Sequence, residues 1–390
     1  MLAFRLAYRN LTGAGLRTWL NVIVLSFSYV VIIWHKGFLD GWEQQAKTDM
    51  IMWETGGGHF WHERYDPYDP FTLTDAHDSL TPELAQLAAE GKLTPVLVSQ
   101  GTLYPDGRML PVLIKGIDPR QHILAIPSQK LDTALSAIPA LVGSEMARNA
   151  RLKEGDILTI RWRDVNGTFD AAEIQIVGIF QTTVPSVDIG QVWIPLSRLQ
   201  EMLLMPGEAT FLVLSAPSGM LPSGGNWVFH PREELLKSVD DIIKTKSAGG
   251  AVLWIILMLL AMLAIFDTQV LSIFRRRKEI GTYIALGMTR WQVVGLFTVE
   301  GAMHSLLAVI VGALYGVPLL AIQAVKGLSL PVSSGDFGIS MASRIVPVYS
   351  AGLVAGTILI VVIVTTIVSF LPARKIAKMS PTDALKGKIQ

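Results

Sequence analysis

Residues 345–373 read IVPVYSAGLVAGTILIVVIVTTIVSFLPA, a run of 29 positions without Asp, Glu, Lys or Arg. A helix needs roughly 20 predominantly apolar residues to cross a hydrocarbon core of ~30 Å. This run therefore predicts a membrane-spanning helix.

Three further stretches predict spans. The stretch 247–274 contains one charged residue, Asp267, and the stretch 291–325 contains one, Glu300. The stretch 19–34 is shorter and more polar. A secretory signal peptide is the alternative for it, but no small-x-small cleavage site follows, so an uncleaved anchor is expected.

The composition agrees with a membrane protein: 51% of the residues are hydrophobic, 17% are charged and the mean hydropathy is +0.43. The formal net charge of +1 gives no indication of a nucleic-acid partner. The 390 residues include no cysteine, which excludes disulfides, thiolate metal sites and cysteine nucleophiles.

Cationic residues are concentrated on one side of the spans, and such flanks stay cytoplasmic, whereas the short loop between spans three and four offers only Lys326 and Arg344. The cationic flanks precede span one, separate spans two and three, and follow span four: Arg5, Arg9, Arg17, Arg275, Arg276, Arg277, Lys278, Arg290, Arg374, Lys375, Lys378, Lys386 and Lys388. We therefore expect a multi-pass protein of the cell inner (plasma) membrane with both termini in the cytoplasm.

The predicted organisation has nine segments. They are a cytoplasmic amphipathic segment 1–18, transmembrane helix 1 at 19–36, an extracytoplasmic (periplasmic) α+β domain at 37–247, transmembrane helix 2 at 248–274, a cytoplasmic coupling segment at 275–290, transmembrane helix 3 at 291–325, an extracytoplasmic loop at 326–344, transmembrane helix 4 at 345–373 and a cytoplasmic tail at 374–390.

The segment 37–247 is patterned as a folded α+β domain. Its predicted elements are a helix from Thr81-Pro82 to Gly91, strands 96–104 and 108–117, a helix at 144–150, and a hairpin of 157–163 with 172–180 turning at Asn166-Gly167. A Pro, Ser and Gly-rich connection follows at 217–225. A helix from Pro231 is then expected to continue into span two as a rigid lever.

The stretch 275–290 reads RRRKEIGTYIALGMTR and predicts a short helix, a break and the next span. Gly287 can end the short helix, and Thr289 with Gln292 forms a capping box for the next one.

An apolar stripe runs along that short helix, formed by Ile280, Tyr283 and Ile284. Two interpretations stay open from the residues alone. The segment is either a membrane-surface helix held by lipid headgroups or a docking element for a cytoplasmic partner.

Residues 276–287 resemble the R-x-R-E-I-G-x-x-x-A-x-G signature of ABC transporter permeases of the MacB/LolC/LolE/FtsX-like family, with Lys278 in place of the second Arg. Other segments resemble that family in the same order along the chain. They are Leu6–Asn10 with Leu16–Thr18, Gly143–Ala147 with Leu152–Asp156, Glu300 with Gly312 and Gly316, and Pro372–Lys375 with Ser380–Leu385.

The resemblance implies a half-transporter that works as a homo- or heterodimer with a second permease chain and with cytoplasmic ABC ATPase subunits. It places ATPase coupling on Arg277, Glu279, Ile280, Gly281, Ala285, Leu286 and Gly287. The chain has no G-x-x-x-x-G-K-[ST], so no cofactor is expected on it and ATP-Mg is expected on the partner ATPase. Membrane lipids and a periplasmic cargo or acceptor protein are the other expected partners.

Charged groups within spans are costly, which makes Asp267, Glu300 and His304 candidates for a role. Asp267 is expected to reach the headgroups or pair with a basic residue. Glu300 and His304 share a helix face, and structural pairing is favoured over a proton relay.

No catalytic or metal site is predicted. The stretch 56–69 contains His59, His62 and Glu63 but lacks the second histidine of a zinc helix, and its alternation favours a first strand of the outside domain. No G-x-S-x-G elbow is present, and the chain is not expected to be an enzyme.

Three functions remain open. The first is mechanotransmission that releases lipoproteins from the inner membrane, favoured by the full-sized outside domain and the absence of an ATP-binding motif. The second is efflux with an adaptor and an outer-membrane duct. The third is an FtsX-like lever that activates a cell-wall hydrolase, while a membrane enzyme is disfavoured.

Overall fold

The computed structural model describes residues 16–216, 225–329 and 344–378. The chain divides into two compact units, one of residues 1–42, 243–328 and 345–390 and the other of residues 43–242 and 329–344. The resembling segments 6–10 and 380–385 lie outside the described residues, as does most of the connection 217–225.

Helices and strands alternate along the chain. The α-helices are α1 (Leu16–Met50), α2 (Pro82–Ala89), α3 (Ser144–Ala150), α4 (Pro185–Asp188), α5 (Leu196–Leu203), α6 (Arg232–Leu235), α7 (Lys237–Arg275), α8 (Arg277–Ala285), α9 (Arg290–Lys326) and α10 (Ala351–Ala373). The strands are β1 (Gly58–His62), β2 (Asp78–Ser79), β3 (Leu93–Tyr104), β4 (Leu110–Ile117), β5 (Ile138–Gly143), β6 (Ile157–Arg163), β7 (Phe169–Phe180), β8 (Gln191–Pro195), β9 (Glu208–Ala209), β10 (Phe211–Leu214), β11 (Trp227–Pro231), β12 (Leu328–Ser329) and β13 (Arg344–Ile345).

Four of these helices are long and apolar enough to cross a membrane: α1, α7, α9 and α10. Helix α1 is longer than its apolar stretch, since it continues beyond the predicted end at residue 36 to Met50. Ion pairs one turn apart support this polar extension, with Lys36 at 2.7 Å from Asp40 and Lys47 at 2.8 Å from Glu43. The sequence-predicted boundary thus marks the end of the apolar residues, not the end of the helix.

The first unit packs its four long helices around a common apolar core. Val22, Leu25 and Tyr29 of α1 meet residues of α7, α9 and α10, among them Ile265 and Val361. Small residues set the helix spacing, because a side chain on Gly316 of α9 would lie 2.7 Å from Val30 of α1.

The second unit is built on a nine-stranded mixed sheet in the order β11-β1-β10-β3-β4-β8-β5-β7-β6. Strand β3 pairs with β4 along Val96–Leu103 and also with β6 along Gly101–Tyr104, which closes six strands into a ring. One apolar cluster, which includes Leu97 and Ile114, fills one side of these strands, and a second, which includes Val98 and Trp193, covers the other.

The helix predicted at 144–150 and the first strand predicted in the stretch 56–69 are present as α3 and β1. The hairpin turn differs from the prediction. The sequence predicts a two-residue connection at Asn166-Gly167, but the loop runs over residues 164–168. Asp164 explains the extra length, because its carboxylate accepts hydrogen bonds from the backbone N–H groups of Asn166 and Thr168 at 2.9 and 2.8 Å.

Candidate coupling segment

The connection between α7 and α9 is a short helix with a defined break at each end. Arg276 separates α7 from α8 with a non-helical backbone (φ −98°, ψ 18°). At the other end Gly287 has a φ of +98°, a conformation that a side chain would strain. Thr289 and Gln292 then form a capping box at the start of α9, with bonds of 2.8 and 3.3 Å.

Arg276 connects α8 to α9. Its Nη1 donates to both carboxylate oxygens of Glu300, at 2.9 and 3.1 Å, and its Nε donates to Glu279 at 2.7 Å. The guanidinium lies over the ring of Phe297, 4.9 Å from its centroid. Only 17% of the Arg276 side chain and 9% of the Glu300 side chain are exposed, so this ion pair is largely desolvated. One residue thus joins the start of α8 to the interior of α9.

The apolar stripe of α8 faces the helices and not an outside partner. Ile280 is fully buried, and Tyr283 and Ile284 pack against the same cluster, which also contains Val293 of α9 and Ile376. The stripe therefore packs inside the helical unit, and the choice between a membrane-surface helix and a docking element concerns the other faces of the segment. The stripe fixes α8 to the spanning helices.

The outer face of the connection carries the exposed groups. Leu286 is 79% exposed and Trp291 is 64% exposed, and Ala285 and Gly287, on either side of Leu286, are exposed as well. An exposed leucine at the tip of a basic segment is available to a partner protein.

The remaining residues of the predicted coupling set lie inside the segment. Gly281 is buried against the same core as Ile280. Arg277 lies over the ring of Phe274 at 4.4 Å, and its buried Nε has no hydrogen-bond partner in the structure. Of the seven predicted residues, Glu279 contacts the Arg276 pair, while Ala285, Leu286 and Gly287 form the exposed tip.

The three intramembrane candidates are not one site. Glu300 pairs with Arg276, and His304 Nδ1 bonds to the backbone oxygen of Glu300 at 2.9 Å and not to its carboxylate. Asp267 is exposed on α7 and has no hydrogen bond or ion pair with any residue that the structure describes.

Arg276 is the functional residue that the sequence reasoning left out. It is the first Arg of the R-x-R-E-I-G-like motif, whereas the predicted coupling set begins at Arg277. The residue in the sequence that could have pointed to Arg276 was Glu300. An acid within a span needs a basic partner, and the nearest basic residues are those that flank the spans.

The stretch 56–69 shows no metal site, and among the described residues no group of three or more potential metal ligands lies together. Both ring nitrogens of His59 are hydrogen-bonded. Trp61 Nε1 donates to Nδ1 at 3.0 Å, and Nε2 lies 3.0 Å from the backbone oxygen of Glu54. These contacts require a neutral ring with the hydrogen on Nε2. Burial lowers the pKa of His59 to about 4.

Comparison with known proteins gives a family match over about a third of the chain, within its C-terminal half. Residues 251–381 match the family model described as FtsX-like permease C-terminal. The uncharacterized ABC transporter permease MJ1507 of Methanocaldococcus jannaschii is 29% identical over 156 residues, which cover 40% of this chain and 37% of that protein. The macrolide export ATP-binding/permease protein MacB of Agrobacterium fabrum is 29% identical over 132 residues, 34% of this chain and 18% of its own length.

The chain therefore spans well under half the length of these curated relatives. Among solved structures, the extracellular domain of the noncanonic ABC-type transporter YknZ from Gram-positive bacteria superposes with a TM-score of 0.27 and 10% identity. That superposition covers 41% of this chain and 83% of the other.

Proposed function

We propose that this chain, whose residues 251–381 form an FtsX-like permease C-terminal domain, is the permease subunit of an ABC transporter that transmits ATP-driven motion. The carrying observation is the Arg276–Glu300 pair, which joins the coupling helix α8 to α9. ATP-Mg is bound by a separate ATPase, and a second permease chain completes the transporter.

The geometry of the segment supports transmission by rigid bodies. An ATPase that binds the exposed Leu286 can displace α8. Because α8 is held to α9 through both Ile280 and Arg276, α9 moves with it. Helix α7, which ends next to Arg276, is continuous from Lys237 to Arg275. A displacement at the tip therefore reaches both helices without first having to order the segment.

For the cargo, we propose a lipid-anchored protein that is released from the inner membrane. The support is an apolar cleft of about 290 Å³ between α1, α7 and α10. Its walls include Ile32, Leu253 and Leu353, and Lys36 and His35 also line it. An acyl chain fits the apolar walls, while Lys36, half exposed, is placed for a polar headgroup.

Efflux is the second candidate, favoured by the relatives named as macrolide export proteins. In that case the unit of residues 43–242 acts with an adaptor and an outer-membrane duct.

A photo-crosslinking amino acid at Leu286 tests the coupling assignment in intact cells. We expect capture of an ABC ATPase from Leu286 and none from Ile310, a residue in the apolar middle of α9 that is 60% exposed. Absence of any ATPase product at Leu286 would overturn the proposed function.

A crosslinker at Leu353, in the apolar cleft, tests the cargo. Acylated proteins in the product support lipoprotein release. A small apolar compound as cargo, together with an adaptor in the purified complex, supports efflux instead. A cell-wall hydrolase as the only extracytoplasmic partner contradicts both.

A further inference from the structure

A cavity of about 1150 Å³ lies within the unit of residues 43–242. Much of its wall is aromatic or aliphatic, with Trp61, Tyr65, Val98 and Leu113 among the lining residues. Trp61 and Tyr65 meet edge to face with ring centroids 5.5 Å apart, which fixes both rings in place. The space is large enough for a small organic ligand, and its lining offers both apolar and polar contacts.

The wall of this cavity includes a buried cation. Lys115 lies on β4 between Val98 of β3 and Trp193 of β8 and is only 7% exposed. Its Nζ lies 5.0 Å from the ring centroid of Trp193 and 6.0 Å from that of Phe211. The two rings stabilise an ammonium group but accept no full hydrogen bond from it.

Lys115 has no hydrogen bond or ion pair within the described parts of the chain. Glu54 lies close enough to raise the pKa of Lys115, but burial outweighs it and the pKa is lowered. The Glu54 carboxylate instead accepts a hydrogen bond from Ser186 Oγ at 2.5 Å. Lys115 therefore has one carboxylate, that of Glu54, in its vicinity, but no described residue accepts a hydrogen bond from its Nζ, which buried charged groups ordinarily require.

A second unpaired group lines the same cavity. Gln191 on β8 is 6% exposed, and its Nε2 donates to the backbone oxygen of Ser186. Its Oε1 has no hydrogen-bond partner in the structure. Buried polar atoms are nearly always bonded to protein or water, so an unpaired donor and an unpaired acceptor in one cavity are two positions that a polar ligand can satisfy.

The register places the two groups side by side. Strands β4 and β8 are parallel, with Leu113 opposite Gln191 and Lys115 opposite Trp193. Side chains two residues apart point to the same face of a sheet, so Lys115 and Gln191 are diagonal neighbours. The other charged residues that line the cavity, apart from Glu54, are exposed to water: Glu63, Arg64, Asp66, Glu234, Lys237 and Asp241.

We propose that this cavity binds a small amphipathic carboxylate with a neighbouring N–H or O–H group. The carboxylate accepts a hydrogen bond from Lys115 Nζ, the N–H or O–H donates to Gln191 Oε1, and the apolar body packs against Trp61 and Tyr65. This site is independent of the proposed transport function, since it needs neither an ATPase nor a second chain.

Three probes separate the parts of this recognition on the full chain in lipid nanodiscs. N-acetyl-L-phenylalanine carries all three features, its primary carboxamide lacks the charge, and 3-phenylpropanoate lacks the N–H. Ligand-observed NMR titration, with empty nanodiscs as the blank, is expected to show at least about tenfold tighter binding of the acid than of its carboxamide.

Lys115→Met removes the charge at nearly constant shape and is expected to abolish this discrimination. The matched control is Lys92→Met, an exposed lysine of the same unit, which is expected to leave it unchanged. Gln191→Leu is expected to weaken the binding of N-acetyl-L-phenylalanine but to leave the binding of 3-phenylpropanoate unchanged, because only the first probe has an N–H to donate to Gln191 Oε1.

The proposal is overturned if the unaltered chain binds the acid and its carboxamide equally, or binds no probe up to about 10 mM. Discrimination that persists in Lys115→Met overturns it too. If Lys115→Met does not fold, the comparison of acid with carboxamide on the unaltered chain and on Gln191→Leu still decides.

Discussion

Arg276 Nη1 lies 2.9 and 3.1 Å from the two carboxylate oxygens of Glu300, so a basic residue beside one helix neutralises an acid inside another. Neither side chain is more than 17% exposed. A buried ion pair stabilises the folded state little more than an apolar replacement of both residues would. Removal of one partner alone, however, leaves a buried charge and strongly destabilises the fold. The main effect of the pair is to fix where α8 sits.

Glu300→Gln is therefore expected to lower the free energy of unfolding by about 3 kcal/mol, because Arg276 is left without its buried counter-charge. Glu279→Gln is the matched control. This change removes the Glu279 carboxylate, which also accepts a bond from Arg276. The Glu279 side chain is 55% exposed, so the expected loss in the free energy of unfolding is less than about 1 kcal/mol. Equilibrium unfolding in mixed micelles measures both, and equal losses would contradict a special role for Glu300.

Gly287→Pro is expected to leave the chain inserted but to reduce ATPase association at least about tenfold. Proline fixes φ near −65°, whereas Gly287 has a φ of +98°, so the connection to the Thr289 cap must change course. Glu279→Ala is expected to act in the same direction but more weakly, because it removes the bond from Arg276 Nε while Arg276 stays bonded to Glu300. Pull-down with a tagged ATPase, together with the ATPase rate, measures the effect.

The control for that experiment is Gly295→Ala, also close to the N-terminal end of α9. An added Cβ there meets no heavy atom within 4 Å, and alanine favours the helix. Normal association of the Gly287→Pro variant with the ATPase would remove the coupling role from this segment.

Gly301→Ala is expected to destabilise the helical unit by about 1–3 kcal/mol. The new methyl group would overlap the Ser369 side chain of α10 and lie 2.8 Å from Gln269 Nε2 of α7, so three helices meet at this glycine. The thermal unfolding midpoint of the purified protein measures the loss. Gly356→Ala on α10, which has open space, is the control.

Relief of this overlap gives a stricter test. Ser369→Gly removes the atoms that the new methyl group meets, and the double variant is expected to recover part of the stability lost by Gly301→Ala. A simple sum of the two single effects would show that the overlap with Ser369 is not the cause.

The sequence predicted those features that depend on local patterns. Uncharged runs located the four long helices, and Thr289 with Gln292 located the start of α9, because hydropathy and capping act over a few residues. The pairing of Arg276 with Glu300 spans 24 positions and depends on how α8 packs, which no local pattern records. The apolar stripe of α8 shows the same limit: its existence was readable, but the partner it faces was not.

The burial of Lys115 could not be predicted from the sequence for a related reason. Strand β4 reads LPVLIKGI, and Leu113 and Ile117 lie on the same face as Lys115, but a single lysine among apolar residues does not reveal whether its ammonium reaches solvent. Only the covering of that face by residues around Trp61 and Phe211 makes it a buried cation. Closure of the ring, which pairs Thr102 of β3 with Arg161 of β6, is equally non-local.

His59 makes the stability of the unit of residues 43–242 dependent on pH. Its pKa is lowered from 6.5 to about 4 by burial, so between these values the unfolded chain binds a proton that the folded chain refuses. Stability is then complete above about pH 6.5 and falls as the pH drops toward 4, by about 3 kcal/mol in total at about 1.4 kcal/mol per pH unit. Protonation of Nδ1 also removes the acceptor that Trp61 uses.

The check is the unfolding midpoint of the intact chain at several pH values in this interval. His59→Gln is expected to be less stable at neutral pH, because it disturbs the bonds to Trp61 and Glu54, yet to lose much of the acid-dependent slope. His122→Gln alters an exposed histidine of the same unit and is expected to keep that slope. If the unfolding midpoint of His59→Gln depends on pH as strongly as that of the unaltered chain, another group is responsible for the acid sensitivity.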